Sequence, residues 1–195
     1  MKIERPISKQ PIPPSAKRVF QGQMFDVYQW EQELYDGTRR TFEKVRRADT
    51  AVVLPVTPDG KIILAKEEQP GKKLFLTTVG GRIEDGEDPL AAGKRELLEE
   101  TGYESAEWEL LAARQPLTKV DWAIYTFIAK GCVRVAEQKL DGGEKIELLG
   151  LSFDAFVEAV LRDDFDDVAL KLVLLEAKTD PEKMKKIKAQ FGFSV

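Results

Sequence analysis

The chain of 195 residues contains no histidine and a single cysteine, Cys132. These absences exclude an intramolecular disulfide, zinc sites of the Cys/His kind, and any triad with histidine as its base. Long apolar runs are missing too: no stretch approaches the roughly 20 residues that span a bilayer. A positive excess is also absent, since 30 Lys and Arg stand against 34 Asp and Glu for a formal charge of −4. That balance offers no attraction to nucleic acid or acidic membranes. Residues 1–15 hold four prolines and no apolar core, so neither a secretory signal nor an anchor is expected there, and a cytoplasmic location is the default. Acid–base chemistry must fall to carboxylates, lysine, tyrosine or metal-bound water, and a metal would be a hard cation held by oxygen. Cys132, between Gly131 and Val133, reads as an inert small hydrophobe.

What is present is an ordinary globular composition, 43% hydrophobic and 33% charged. Residues 1–15 read as an extended, polyproline-like arm whose isoleucines Ile3, Ile7 and Ile12 suit packing on a neighbour. Residues 18–47 carry a hairpin pattern around Asp36-Gly37, expected as a type I′ turn. A second hairpin is expected from residues 50–57 and 61–66 around Pro58-Asp59-Gly60, both strands apolar on two faces as in a buried sheet. A helix begins at Asp88-Pro89 and stops at Gly102, burying Leu90, Ala91, Leu97 and Leu98, and Gly93 predicts close approach of another backbone. Strands are expected at 108–114, 122–129 and 146–151, and helices near 154–162, 167–178 and 181–191. Strands that alternate with helices define a mixed α/β class.

Eight acids crowd residues 84–104 against two bases, Lys94 and Arg95. Glu96, Glu99 and Glu100 stand at i, i+3 and i+4, so they share one helical face. Two such charges about 4 Å apart repel by roughly 4 kcal/mol at an effective dielectric near 20. Arg95 can relieve Glu99 but not all three; a divalent cation can. An acidic run is by itself most often a solvated face. The preceding Gly80-Gly81 shifts the balance, because a glycine pair lets a backbone carbonyl approach an ion.

Gly81, Glu87 and the run Arg95-Glu96-Leu97-Leu98-Glu99-Glu100-Thr101-Gly102-Tyr103 match G-x5-E-x7-R-E-U-x-E-E-x-G-U, the Nudix box, at every fixed position. The chain thus resembles the Nudix hydrolase superfamily, and around the box it resembles the ADP-ribose and nucleoside-diphosphate-sugar pyrophosphatases. The resemblance implies a Nudix α/β/α sandwich with a small N-terminal β-rich subdomain, divided as arm and subdomain at 1–47 and hydrolase domain at 48–195. It implies Mg²⁺, with Mn²⁺ as the alternative, held by Glu96, Glu100, the Gly80 carbonyl and Glu99. Arg95 would orient Glu99, Glu87 would brace the loop, and Gly81 and Gly102 would be structural. A loop acid would act as base or further ligand, Glu144 first and Glu147 second, though Glu147 also suits the polar face of a strand. Arg82, Lys66, Lys72 and Lys73 are candidates for phosphate, and Phe25, Tyr28 and Trp30 for stacking on a base, each equally suited to plain surface or packing roles. The basic stretch Arg39, Arg40, Lys44, Arg46, Arg47 could face phosphates or the acidic helix. A small nucleoside diphosphate substrate and a homodimer through the N-terminal subdomain are expected, with no nucleic acid or membrane partner.

Departures from that subfamily lie at Glu67-Glu68-Gln69-Pro70, where a tyrosine-arginine pair is common, at Thr77-Thr78-Val79 in place of Glu-Leu-Pro, and at Pro116. They leave two other readings open: hydrolysis of modified nucleoside triphosphates or dinucleoside polyphosphates, and a non-catalytic nucleotide-binding module. The intact box argues against the second.

Overall fold

The computed structural model describes residues 3–140 and 142–193. In chain order the first strands are β1 (Lys17–Gln21), β2 (Asp26–Glu33), β3 (Arg39–Arg46), β4 (Thr50–Pro55), β5 (Ile62–Gln69), β6 (Lys72–Thr77) and β7 (Val79–Arg82). Helix α1 (Pro89–Thr101) follows, then β8 (Tyr103–Glu104), β9 (Glu107–Arg114), β10 (Val120–Asp121), β11 (Ile124–Lys130), β12 (Val133–Arg134) and β13 (Lys145–Leu151). Three helices close the chain: α2 (Phe153–Val160), α3 (Val168–Lys178) and α4 (Pro181–Gln190).

The central sheet runs β7-β4-β11-β9, and a second sheet runs β13-β5-β6. Val53, Val79, Ala129 and Cys132 face Leu97 of α1 from one side of the central sheet. Leu54, Val56 and Ile128 on its other side meet Ile62 and Leu64 of the second sheet and Phe156, Leu170 and Leu174 of the later helices. The result is an α/β/α sandwich.

The expected second hairpin is not one. Strand β4 belongs to the central sheet and β5 to the second, and only a Val56–Ile62 bridge and the turn at Thr57–Gly60 join them. Strands apolar on both faces are buried on both, and that pattern is silent about which sheet each joins.

The N-terminal region forms a meander, β1-β2-β3, extended by parallel pairing of β10 along β3 at Val120–Val45 and Asp121–Arg46. Its predicted turn is in place but of another type. Gly37 N–H donates to the Leu34 carbonyl, Leu34 N–H donates to Thr38, and no non-glycine residue among those described has positive φ, so Asp36 cannot occupy a type I′ position. The arm before β1 is fastened to the body. Arg5 pairs with Asp49 at 2.7 Å and Asp121 at 3.1 Å, and the buried Lys44 ammonium donates to Ser8 Oγ and the Gln10 carbonyl, each at 2.6 Å.

Candidate active site

Helix α1 is held at both ends by the residues expected to hold it. Asp88 Oδ1 accepts the Leu90 and Ala91 amides at 2.9 and 3.2 Å. Gly102 sits at φ 73°, and a Cβ there would meet the Ala136 carbonyl oxygen at 2.1 Å, so only glycine closes this end. The buried face is turned from expectation: Ala92, Gly93, Leu97 and Thr101 are buried, Leu90 and Leu98 are half-buried, and Ala91 is exposed. Gly93 lies under the side chains of Phe127, Trp108 and Val53 rather than another backbone.

This orientation sets Arg95, Glu96, Glu99 and Glu100 along one rim. All five guanidinium N–H groups of Arg95 are used. Nε and Nη2 donate to the two Glu87 oxygens at 3.0 and 2.9 Å, Nη1 to Glu96 Oε1 at 2.7 Å and Glu99 Oε2 at 3.1 Å, and Nη2 also to the Arg82 carbonyl at 3.0 Å. Glu87 in turn accepts the Glu84 amide at 2.9 Å, which tightens the loop. Hydrogen bonding to Arg95 holds the Glu87 carboxyl below its ordinary pKa.

Glu96 lies against Gly81, where any Cβ would come within 2.5 Å of its carboxylate. Burial raises its pKa against the opposing pull of Arg95. Glu100 is more isolated. Its carboxylate accepts the Gly80 amide at 2.9 Å, but burial pushes its pKa up to about 9, and Glu96, Glu144 and Glu67 push further in the same direction. The charge of Glu144 is thus felt at both Glu96 and Glu100. Glu67, buried on β5 and accepting Gln69 Nε2 at 2.6 Å, was anticipated only within the departure at residues 67–70, because the strand was expected to end at residue 66 and in fact runs on to Gln69. Gln138 was also missed: its Nε2 donates to the Glu100 carbonyl at 2.6 Å and the Ile146 carbonyl at 3.3 Å, tying helix to β13.

Other expected residues lie elsewhere. Glu147 is exposed and pairs with Lys66 at 2.8 Å across β13 and β5, as the polar face of a strand. Lys72 pairs with Asp166 and stacks on Phe75, and Lys73 is exposed. Trp30 is buried beside Phe42, and Tyr28 lies under Arg46, so within this chain both rings are engaged. Arg82 lines a cleft of about 1040 Å³ between the N-terminal sheet and the Glu84–Glu87 turn, together with Arg5, Arg18, Arg46 and Arg47. Arg47 stacks on Trp122 at 4.5 Å, and its buried Nε has no hydrogen-bond partner among the described residues.

Among the described residues no three acidic side chains enclose an ion as they stand, because Arg95 sits between Glu96 and Glu99. The donor chemistry nevertheless fits a hard divalent cation: Glu96, Glu99, Glu100 and Glu144 are all oxygen donors, and Arg95 is the cation set among them.

Residues 46–174 match the NUDIX domain, and the chain belongs to the Nudix family. It is 30% identical over 149 residues to a methanol dehydrogenase activator of Bacillus methanolicus, a match covering 74% of this chain and 80% of that protein. It is 29% identical over 149 residues to an ADP-ribose pyrophosphatase of Bacillus subtilis (strain 168), covering 75% and 80%. A solved structure titled as an ADP compounds hydrolase superposes with a TM-score of 0.69 at 17% identity, covering 94% of this chain and 98% of that one, a likeness of fold. Family and relatives mark the chain as a hydrolase similar to the ADP-ribose pyrophosphatases. No helix among the described residues is long and apolar enough to cross a membrane.

Proposed function

We propose that this chain is a Mg²⁺-dependent pyrophosphohydrolase that cleaves a nucleoside diphosphate linked to another moiety, of the ADP-ribose or nucleotide-sugar type, into two monophosphates. The observation that carries this reading is the imbalance on α1: a buried Glu100 and its acidic neighbours share one arginine. Glu96 and Glu100, with Glu99 and the Gly80 carbonyl, would hold Mg²⁺ or Mn²⁺. When bound, such an ion supplies charge neutralisation for the diphosphate and a lowered pKa for water.

The chain's own groups do the rest. Arg95 and Glu87 fix the orientation of Glu96 and Glu99. Glu144 accepts a proton from the attacking water as its oxygen bonds to one phosphorus, and the anhydride oxygen leaves with the other phosphate. Positioning and charge stabilisation suffice for phosphoryl transfer. Arg82 and the other arginines of the cleft suit the substrate's phosphates. Residues 1–47 act as a subdomain that helps form a homodimer, and the exposed Val19 and Phe20 on the edge strand β1 suit that role.

The test is incubation with Mg²⁺ and a panel of ADP-ribose, nucleotide sugars, dinucleoside polyphosphates and modified nucleoside triphosphates, with identification of products. Two monophosphates from an NDP-linked compound are expected. Pyrophosphate release from triphosphates, or no product at all, would overturn the reading. The likeness to a methanol dehydrogenase activator favours a second reading, a hydrolase that acts in the service of another enzyme.

A further inference from the structure

The acids of the proposed chemistry stand on two different supports. Glu96, Glu99 and Glu100 ride on α1, which packs against the central sheet. Glu144 directly precedes β13, the edge strand of the second sheet. The two sheets are separate ladders, so strand pairing does not set Glu144 against the helix. The segment between β12 and β13 makes that connection. Val135 and Ala136 amides donate to the Gly102 carbonyl at 2.8 and 3.1 Å, and the Lys139 amide donates to the Glu99 carbonyl at 2.7 Å. These bonds satisfy carbonyls that the end of a helix leaves open. Gln138, half-buried, reaches further. Its Nε2 has two N–H groups, one for the Glu100 carbonyl at 2.6 Å and one for the Ile146 carbonyl at 3.3 Å. One carboxamide thus grips the backbone of Glu100 and the strand residue two places after Glu144.

We propose that Gln138 is a positioning residue that holds Glu144 in register with the carboxylates of α1 and touches no substrate itself. The inference rests on the proposed function, in which Glu144 takes the proton of the attacking water. A carboxamide suits the place, because it binds two carbonyls without setting a further charge among acids that the proposed function gives to a cation. Misplacement of a reacting group by about 1 Å costs roughly 10²-fold in rate. Since Gln138 acts through Glu144, the effects of losing the two should not add.

Gln138→Met keeps the length of the side chain and loses both N–H groups, and Gln138→Glu keeps its shape and loses them too. In the full chain, with saturating Mg²⁺ and the NDP-linked compound that the parent cleaves, each is expected to lower kcat about 10–100-fold with KM within about twofold. In a Glu144→Gln background, Gln138→Met is expected to cost less than about threefold. A residue that merely held the fold together would cost the same factor in both backgrounds. Hydrogen exchange gives a reading without turnover: the Lys139 amide should exchange roughly tenfold faster in Gln138→Met, while amides of β4 and β11 keep the parental rate. An equal cost in both backgrounds, kcat unchanged in either single variant, or unaltered exchange at Lys139 would each overturn the positioning role and leave the proposed function standing. A parent that cleaves no NDP-linked compound would instead overturn the function, and turnover of Glu144→Gln at the parental rate would remove Glu144 from the chemistry; the role of Gln138 falls with either.

Discussion

Two clusters of charge, one reaching the cleft through Arg5, Arg46, Asp49 and Asp121 and the other through Glu87 alone, are near mirror images. At the N-terminal arm Arg5, Arg46 and Lys44 gather around Asp49 and Asp121, leaving one cation over. On α1, Arg95 stands among Glu87, Glu96 and Glu99 with Glu100 behind them, leaving three carboxylates over. The first excess is settled within the chain, because Lys44 needs only acceptors and finds a hydroxyl and a carbonyl. Backbone carbonyls are plentiful and take two hydrogen bonds each. The second excess has no such outlet: Arg95 has no N–H left to give, and Glu100 receives a single amide. A protein can absorb a stray ammonium with its own backbone, whereas a buried carboxyl short of donors is left to hold a proton or, on the proposed function, a cation from outside.

Glu100→Gln attacks that contrast most directly. Turnover should fall by more than the roughly 10²–10³-fold that follows loss of one charge-stabilising group. Without metal, the same variant should melt higher than the parent at neutral pH, since a buried acid that must take up a proton on folding is replaced by a neutral isostere. Turnover at the parental rate would remove Glu100 from the site, and a lower melting point would show that its charge is already satisfied. Next comes Arg95→Lys, which keeps the charge but loses the fork that reaches four groups at once. A drop in turnover of about 10–100-fold is expected, the usual result of disturbing groups that orient metal ligands. Steady-state kinetics with saturating Mg²⁺ checks it.

The sequence announced the acidic excess but not how it is held. Spacing within α1 shows Arg95 reaching Glu99; the two bonds to Glu87 depend on the path of a loop, which periodicity does not describe. Local chemistry was legible: Asp88 and Asp180 cap the helices they precede, and the cysteine is buried with its thiol pushed up to about 11. Long-range pairing was not. The β6 strand, flanked by Gly71 and opened by two lysines, carries little β signal, and its place is set by pairing with β5. Lys44 sits in a basic run that reads as facing phosphates or the acidic helix, yet it is among the most deeply buried side chains of the described residues. Its ammonium meets the arm, at Ser8 and the Gln10 carbonyl, a long-range contact that spacing does not reveal.

On the balanced side, Asp121→Asn leaves Arg5 and Arg46 facing a neutral amide. Burial would raise the Asp121 pKa, but Arg46 and Arg5 hold it below the ordinary value, so its charge is a stabilising one. A loss of about 1–3 kcal/mol is expected by urea denaturation, with kcat within about twofold. A smaller effect should appear as a pH dependence confined to the metal-free protein. Folded Glu100 keeps a proton up to about 9, whereas the unfolded chain releases it near 4.5. Its contribution to stability is therefore complete below 4.5 and is lost as pH rises toward 9. Melting points in EDTA should decline by several degrees from acid to alkaline pH, more steeply than in Glu100→Gln, and Mg²⁺ should flatten the decline. An opposite slope would reverse the contrast between the clusters.

The smallest change is expected where a charge is most completely buried. Lys44→Met keeps the volume and removes the ammonium. Burial lowers the Lys44 pKa, Asp121 opposes that, and Lys119, Arg5 and Arg46 reinforce it, so the charge is a burden that its two acceptors offset. Those acceptors are not stranded by its loss, because Ser8 Oγ already donates to the Gln10 carbonyl at 3.1 Å. Stability should shift by no more than about 1 kcal/mol in either direction. The sign with pH follows from linkage: folded Lys44 releases its proton at lower pH than the unfolded chain, so parental stability rises across that alkaline window and the variant's should not. Urea denaturation at neutral and alkaline pH measures both. If the variant instead lost several kcal/mol at neutral pH, the ammonium itself would be what fastens the arm, and the N-terminal cluster would depend on its unmatched charge as strongly as the proposed function makes the helix depend on a cation from outside.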